Sequence, residues 1–557
     1  EIALYGGFNG TESDLDDRDI ANNLTIISGD LNNDNSLNNN SYHVLVLSKK
    51  VSSQSIIDGF TISDGYANNN IDGGSGVVGA GVYNSSDMKI NDCIISNNHS
   101  KNTGGFKGSG AALYMLEGKL TFEDCVFTNN TVPSEGSIVY TTKKSETYFF
   151  DCTISNTLGG KGGVIYADEA KIFIYYSEFN NNSSSSLGGV IYAIKSDIEV
   201  ISSDFTNNTC TSTGHGGVIY LDNSNLEISN STFDSNSSSN KGGVIYAINS
   251  SKIELNNDKF TNNSTNGNGG ALYLDNCQLE ISNSTFKSNH SNNPGGAIYA
   301  INTNFKKSKF IEFDANSTNA WEGGSALYAD ACEMELENLL IVNHNSVALT
   351  IKNNSEIEIS NSIFYNNSGN ASGCLILSNL NETPIFSNSV FANNSGTNQV
   401  GAVKIDNADA FFTNCVLVNN FTDNTYGSGI VINNGTLTLN NSILWQNTNN
   451  NGNKDFSGTI DANNSYFTDA LPNSGSNNTK EIDPKFLSLN SPKGSDGKWF
   501  TKDDGFSLQS NSPCINSGDN NLVNLETDIT GSERIEDTNV DIGAYEAIVA
   551  DWVFNGD

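Results

Sequence analysis

Residues 242–249 read GGVIYAIN, and close variants of this phrase return along the chain. They stand at 162–169 (GGVIYADE), 188–195 (GGVIYAIK), 216–223 (GGVIYLDN), 269–276 (GGALYLDN) and 295–302 (GGAIYAIN). Successive copies start 26 to 28 residues apart. A nearly fixed period of this length indicates a repeat architecture, in which each unit buries its apolar face only against its neighbours.

Each repeat contains three short segments in which apolar and polar residues alternate, such as VIYA, KIEL and DKFTNN within 244–263. Alternation with period two predicts strands, and no segment of useful length has the 3.6-residue period of a helix. Three strands in about 26 residues cannot enclose a core alone, so we expect the repeats to stack as coils of a parallel β-helix. Phe233 and Phe260 should then stack inside, and Asn236 and Asn263 should line a corner.

The pattern divides the chain into an opening cap at 1–43, a repeat rod at 44–470 and a closing module at 471–557. Gly-rich insertions near 66–80 and 100–110 are the expected places for a pocket-forming loop. No signal peptide is visible, the opening EIALYGGFNG reads like the interior of a domain, and the chain stops at VADWVFNGD without a clear terminus. We therefore interpret the chain as a processed or trimmed portion of a longer exported protein.

The chain is strongly acidic, because 63 Asp and Glu against 28 Lys and Arg give a formal net charge of −35. Such a surface repels phosphate backbones, so no nucleic-acid partner is expected, whereas calcium, cationic partners and neutral glycans are compatible with it. No apolar run reaches the roughly 20 residues of a membrane-spanning helix, so no transmembrane segment is expected. The nine cysteines form no CxxC pair and are expected to be small buried residues.

The tyrosines of the repeated phrase are a candidate ligand surface. If the isoleucine of GGVIYA points inward, the tyrosine faces outward, and one ring per coil could stack on sugar rings. The alternative is that neighbouring Val and Ala side chains partly cover the rings, which then mark only the fold. The tyrosines are Tyr166, Tyr192, Tyr220, Tyr246, Tyr273 and Tyr299.

A ladder of glutamates is a second candidate, with one member six residues before each core phenylalanine: Glu199, Glu227, Glu254 and Glu280. Like charges stacked at the spacing of strands repel one another. We therefore consider a bridging cation, calcium above all, with a solvated acidic face as the alternative.

The closing module contains GSDGKWFTKDDG at 494–505. Asp496, Asp503 and Asp504 offer hard oxygen ligands within one short loop that has glycines at its turns. Such a set suits calcium better than a soft metal, although the spacing is not that of an EF-hand. The alternative is a polar turn held by capping hydrogen bonds.

The GG[AV]IY and FxxN phrases resemble the repeats of chlamydial polymorphic outer-membrane proteins, whose passenger domains are right-handed β-helices. The opening LYGGFNGTESDLDDRD (4–19) and the closing TDITGSERIEDTNVDIGAYE (527–546) resemble the large β-helix surface proteins of Bacteroidetes. The resemblance covers nearly the whole chain. It implies a right-handed, pectin-lyase-like β-helix that is exported to the cell surface as an adhesin or scaffold.

Three classes of function remain open: an adhesin that binds a cell-surface glycan or protein, a self-associating stalk, sheath or filament subunit, and a polysaccharide lyase or hydrolase. The chain contains GHGG at 214–217, but His215 occupies a repeat position held by Lys161, Leu187 and Lys241 in other coils. A freely varying turn position, with no carboxylate cluster or basic clamp beside it, is not expected to be catalytic. We therefore expect a secreted, non-enzymatic binding protein.

Overall fold

The computed structural model describes residues 1–47, 52–68, 77–102, 108–132 and 138–547. The fold is an all-β parallel solenoid of about 14 turns, here called coils, with about 27 residues in each. Two short 3-10 segments, Leu15–Asp17 and Asn520–Leu522, lie wholly within the described residues, and Val77 also has 3-10 conformation. The predicted fold class, a parallel β-helix with a repeat near 26 residues, is therefore confirmed.

The solenoid divides into two compact units. Unit 1 comprises Glu1–Leu279 with Ser288–Asn292, and unit 2 comprises Glu280–Lys287 with the described residues from Asn293 onward. The domain boundaries expected at 43/44 and 470/471 stay a prediction. Of the two Gly-rich insertions, residues 69–76 and 103–107 lie outside the described residues.

In unit 1 each full coil contributes a strand to each of three parallel sheets and often a short fourth strand. The first sheet contains Leu45–Leu47, Val82–Asn84, Leu113–Met115, Val139–Thr142, Ile165–Asp168, Ile191–Ile194, Ile219–Asp222, Ile245–Ile248 and Leu272–Asp275. The second contains Ala3–Tyr5, Ile56–Asp58, Met88–Asn91, Lys119–Glu123, Glu146–Phe150, Lys171–Tyr175, Asp197–Ile201, Asn225–Ser229 and Lys252–Asn256. The third contains Thr25–Ser28, Phe60–Ser63, Ile94–Ser96, Val126–Thr128, Thr153–Ser155, Glu178–Asn180, Asp204–Thr206, Thr232–Asp234 and Lys259–Thr261. The short strands are Tyr66–Ala67, His99–Ser100, Leu158–Lys161, Ser183–Leu187, Thr209–Cys210, Ser237–Ser238, Ser264–Thr265 and His290–Ser291.

Unit 2 repeats this arrangement, but Asn304–Asp314 and Glu333–Val342 each run through the second and third sheets, and Phe456–Asn463 runs from the first sheet into the second. Its first-sheet strands are Ile298–Ile301, Leu327–Asp330, Leu349–Lys352, Leu375–Ser378, Val403–Asp406 and, continuing into the second sheet, Ile430–Asn440. The second and third sheets contain Thr285–Lys287, Asn304–Asp314, Glu333–Val342, Glu356–Ser360, Ile363–Tyr365, Ile385–Ser387, Val390–Ala392, Ala410–Thr413, Val416–Val418, Ile443–Trp445, Phe456–Asn463, Tyr466–Phe467, Ser474–Ser476 and Thr479–Lys480. The short strands are Ser317–Thr318, Ser368–Gly369, Ser395–Gly396, Phe421–Thr422, Thr448–Asn449 and Gly452–Asn453, and one further strand, Gln278–Ser282, contains the boundary between the units.

The core of unit 1 is built from rows of identical side chains that stack from one coil to the next, and we call each such row a file. Phe205 stacks on Phe233 with ring centroids 4.8 Å apart, and Phe233 on Phe260 at 4.9 Å. All three rings are fully buried, as predicted. The nine cysteines are buried and free of disulfides, which also agrees with the sequence.

An asparagine ladder runs beside the phenylalanines. The Asn236 side chain accepts from the backbone N–H of Asn208 at 2.9 Å and donates to the carbonyl of Phe205 at 2.9 Å. The left-handed residue is the one before each ladder asparagine, as Asn262 is with φ 54°. The two asparagines of the TNN phrase therefore have different roles. The first adopts the left-handed conformation that turns the backbone, and the second forms hydrogen bonds to the neighbouring coil.

The double glycine makes the turn into the first sheet. Gly242 has φ 65°, a left-handed conformation that favours glycine. A Cβ on Gly243 would lie only 1.9 Å from the carbonyl oxygen of Gly270. The first glycine is thus required by conformation and the second by the close approach of the neighbouring coil.

Candidate ligand-binding face

The second sheet of unit 1 presents an outward face between residues 146 and 256. Inward side chains such as Ile198, which is 3% exposed, alternate with side chains that point outward. Because the coils pair in register, each outward position continues as a file, so that Phe173 pairs with Glu199 and Glu199 with Glu227. The character of the face is therefore set by the residue that each repeat places in a file.

Four aromatic side chains meet on this face where two coils adjoin. They are Tyr148 and Phe150 on one strand and Phe173 and Tyr175 on the next, and we call them the aromatic cluster. Tyr148 and Phe173 stack with centroids 4.3 Å apart, and Phe150 and Tyr175 lie 5.0 Å apart. All four rings are partly exposed. Large rings that remain exposed together are typical of binding surfaces, because burying them would otherwise stabilise the fold.

A lysine closes one end of the stack. The ammonium of Lys119 lies 4.2 Å from the centroid of the Tyr148 ring, which is a cation–π contact. The Tyr148 hydroxyl donates to Glu146 Oε2 at 3.1 Å. Burial, reinforced by the Glu146 carboxylate, raises the pKa of Tyr148 to about 12, so this hydroxyl remains a donor at neutral pH.

A shallow groove begins at the other end of the stack. Its volume is about 300 Å³, and Phe173 lines it together with residues of the next three coils. We define the acidic groove by its six polar side chains: Asp197, Glu199, Asn225, Glu227, Lys252 and Glu254. Four carboxylates and one ammonium give these side chains a charge of −3, which favours a cationic ligand.

The glutamates of the groove form the ladder that the sequence predicted. Glu199, Glu227 and Glu254 lie in register on three successive coils of unit 1. Lys252 forms an ion pair with Glu254 at one end of the ladder. Glu280, the fourth predicted member, is exposed and belongs to unit 2.

Unit 2 contains a second acidic groove of about 690 Å³ on its own outward surface. Glu333 pairs in register with Glu356, and Glu335 with Glu358, so that four carboxylates form a grid. Lys307 lies 3.5 Å from Glu335. The one aromatic side chain along its lining, Phe305, is only 3% exposed, so this groove matches the acidity of the groove in unit 1 but offers no exposed ring.

The tyrosine file is not the exposed stripe that the sequence suggested. Tyr166, Tyr192, Tyr220 and Tyr273 are only 5% to 9% exposed, while Tyr246 and Tyr299 are partly exposed. The rings of unit 1 stack face to face, with Tyr192 and Tyr220 4.9 Å apart. Leu187, Ile194 and Ile248 pack against their edges. Of the two alternatives, partly covered rings therefore describe this file and open ring faces do not, because the rings cover one another and neighbouring side chains cover part of what remains.

His215 belongs to the cover of the tyrosine file. Its ring lies 4.6 Å from that of Tyr246, just as the ammonium of Lys241 lies 4.3 Å from the ring of Tyr273. Burial, and then the charge of Lys241, lower the pKa of His215. The packing of His215 agrees with its interpretation as a turn residue of the repeat.

In the closing loop, the aspartates proposed as calcium ligands are engaged by hydrogen-bond donors. Asp503 Oδ2 accepts from the Ser495 backbone at 2.6 Å and from its hydroxyl at 2.7 Å, which lowers the pKa of Asp503. Asp504 is buried and accepts from the Tyr545 hydroxyl at 2.7 Å, and burial raises its pKa to about 6. Asp496 accepts from the backbone N–H of Lys498 at 2.7 Å.

These contacts give the closing loop the geometry of a polar turn. Among the described residues no group of three or more His, Cys, Asp or Glu side chains is arranged to hold a metal ion. Calcium at Asp496, Asp503 and Asp504, or along the glutamate ladder, stays a prediction, and the geometry gives it no support. No helix in the described part of the chain is long and apolar enough to cross a membrane.

Residues 137–313 match the family described as the right handed beta helix region. Together with the parallel solenoid, this match supports a right-handed β-helix repeat protein. No curated protein sequence matches the chain.

Two solved structures are distantly similar. The A-module of a mannuronan C-5 epimerase from Azotobacter vinelandii is 10% identical, with a TM-score of 0.21 over 65% of this chain and 91% of the other. A periplasmic alginate epimerase is 10% identical, with a TM-score of 0.22 over 76% and 84% of the two chains. At this level of similarity the two structures say nothing about what this chain binds or does.

The sequence contains a signal for the aromatic cluster that repeat analysis alone passes over. Tyr148 and Phe173 occupy the outward position that Glu199, Glu227 and Glu254 occupy in later coils. In KSETYFFDC and KIFIYYSEF, aromatic residues replace the polar residues of the common pattern. Comparing outward positions coil by coil, rather than the shared phrase, would have found the cluster.

Proposed function

We propose that this chain is an adhesin-type β-helix protein of the cell surface that binds a glycan through the aromatic cluster and the adjoining acidic groove. The observation that carries the proposal is the exposed stack of Tyr148 and Phe173 at the mouth of the groove. Partly exposed rings beside polar groups with fixed positions are the usual lining of a ligand site. Sugar rings have apolar faces that pack on aromatic rings and hydroxyls that bind carboxylates.

Export to the cell surface is part of the proposal. The resemblance of the repeats and of the DIGAYE closing module to bacterial surface proteins supports it. A self-associating stalk or filament subunit is the competing function. It predicts association of copies and no specific ligand.

The test is a broad glycan array probed with the wild-type chain and with a Tyr148→Ala/Phe173→Ala variant. Trp321→Ala is the matched control, because Trp321 is an exposed ring (53%) in unit 2, outside the cluster. Circular dichroism and thermal melting establish that each variant is folded. We expect binding to a narrow set of glycans, lost in the double variant and retained in the control.

Two results would contradict the proposal. If no glycan binds and the chain forms concentration-dependent assemblies in analytical ultracentrifugation, the stalk function is favoured. If the double variant binds the same glycans with the same affinity, the aromatic cluster is not the site.

A further inference from the structure

The two ends of the Tyr148–Phe173 stack differ in a way that indicates the chemistry of the ligand. At the Tyr148 end, the ammonium of Lys119 covers the terminal ring at 4.2 Å. At the Phe173 end, the next coil places Glu199 in register with the ring, and the groove opens there. The stack therefore has a cation from the chain at one end and a carboxylate-lined groove at the other.

From this asymmetry, and resting on the proposed function, we propose that the acidic groove binds an amino-sugar glycan with free amines, with one ammonium over the outer face of Phe173. Glu199 and Glu227 would pair with the charge, and the aromatic cluster would pack against the sugar rings. An ammonium over a ring gains most where carboxylates also face it, because the ring and the anions attract the same charge.

The chain itself leaves the groove short of positive charge. Lys252 is the one basic side chain in the lining, and it is paired with Glu254 on the third coil of the groove. Two coils separate Lys252 from the strand of Phe173. A ligand that carries several amines restores the balance that these residues lack.

The glutamate ladder places like charges side by side. In-register carboxylates on neighbouring strands repel each other. The outward positions two residues before these glutamates do not have this repulsion. There Asp197, Asn225 and Lys252 follow one another on successive coils, so that no two like charges are adjacent. Tyr175 hydrogen-bonds Glu199 and Lys252 pairs with Glu254, so the repulsion is offset at the two ends of the ladder. A surface feature that breaks a local rule is expected at functional sites.

The spacing of the ladder favours a polysaccharide over a peptide. Neighbouring coils lie about 4.8 Å apart, so Glu199, Glu227 and Glu254 recur at that interval along the groove. Same-face side chains of an extended peptide recur about every 6.6 Å and fall out of step with the coils. In an extended β-linked hexosamine chain successive sugars are turned over, and one sugar is about as long as one coil spacing. Amines on one side of such a chain therefore recur at about two coil spacings and stay in step with every second coil of the groove.

The test compares two ligands of the same backbone, one with free, charged amines and one with acetylated, neutral nitrogens. A β-linked glucosamine oligomer and its fully N-acetylated counterpart of equal length are measured by biolayer interferometry against the full chain. We choose about pH 5.5, which is above the ordinary pKa of glutamate and low enough to keep the amines protonated. We expect at least about tenfold tighter binding of the deacetylated oligomer, weakening as salt is raised.

Three variants locate the interaction. Glu227→Gln removes the central charge, and Phe173→Leu removes the ring but keeps an apolar side chain. Glu358→Gln in the grid of unit 2 is the matched control, since it also removes one member of an in-register pair of glutamates. The first two should weaken binding of the deacetylated oligomer by about fivefold or more, and the control should leave it unchanged.

Each other outcome would overturn the inference in a distinct way. Equal binding of the two oligomers would leave glycan binding intact and remove the role of the amine. An equal loss in Glu358→Gln would show attraction by general acidity rather than by the groove. Binding of oligolysine but of neither sugar would assign the groove to a basic peptide, and no binding to any glycan would end the proposed function as well.

Discussion

The rings of Tyr148 and Phe173 stack on neighbouring coils, with planes only 10° apart, on the outside of a sheet whose inside is a continuous apolar core. In a β-helix the in-register pairing that builds the core also aligns whatever stands on the surface. A cluster of rings therefore needs only two coils to depart from the common pattern. The following coils return to glutamate and supply the acidic groove.

The first prediction concerns the repulsion within the ladder. Glu227→Gln should stabilise the fold by about 0.5 kcal/mol at low salt, because Glu227 stands between Glu199 and Glu254. The gain should shrink in 1 M salt, where the charges are screened. Urea denaturation of the two chains at both salt concentrations measures the effect.

Glu146→Gln is the control for that experiment. Glu146 pairs in register with Lys119 and Lys171, and it accepts the hydroxyl of Tyr148. The same change of charge should therefore destabilise the fold by about 0.5 kcal/mol at low salt. If both variants shift stability in the same direction, the in-register charges do not control it.

Much of the fold can be predicted from two phrases. GGVIYA and FxxN give the strands, the period, the stacked phenylalanines and the asparagine corner, because each is fixed by contacts between identical positions of adjacent coils. The covering of the tyrosines cannot be predicted in that way, since it depends on Leu187, Ile194 and Lys241, which lie at positions that vary from coil to coil. The hydrogen bond between Asp504 and Tyr545 also cannot be predicted from the repeats, because the two residues are 41 positions apart along the chain.

The second prediction concerns the asparagine ladder. Asn236→Leu should destabilise the fold by about 3 kcal/mol or more, because the buried N–H of Asn208 and the carbonyl of Phe205 would both lose their partner. Asn225→Leu, the same change at an exposed strand position, should stay within about 0.5 kcal/mol of wild type. Thermal and urea unfolding measure the loss of stability in both variants. An equal loss in the two would show that the asparagine ladder contributes no more to stability than an exposed asparagine.

The third prediction concerns calcium. The melting temperature of the chain should be the same in calcium and in chelator, because hydrogen bonds already engage Asp503 and Asp504. Differential scanning calorimetry in the two buffers provides the measurement. A higher melting temperature in calcium that disappears in Asp503→Asn would establish the closing loop as a calcium site after all.

The fourth prediction concerns Asp258, a carboxyl that is 1% exposed and follows three serines, Ser177, Ser203 and Ser231, at the same position of successive coils. It accepts from the backbone of Ser231 at 2.9 Å, as Ser231 Oγ accepts from Ser203 at 3.1 Å one coil earlier. Burial raises the pKa of Asp258 to about 7 in the folded chain. In the unfolded chain the ordinary pKa is about 3.9, so between these values the folded state binds more protons than the unfolded state.

Stability should therefore fall as the pH rises from about 4 to about 7, and level off above the folded pKa. Asp258→Ser restores the residue of the neighbouring coils and removes this dependence, so the variant should exceed wild type by the order of 1 kcal/mol at pH 8 and lose the advantage toward pH 4. Urea denaturation of both chains between pH 4 and pH 8 measures the difference, in which the contributions of other buried carboxyls cancel. A difference between the two chains that stays constant over this range would show that Asp258 is ionised in the folded state as readily as in the unfolded state, and that its two backbone hydrogen bonds compensate for its burial.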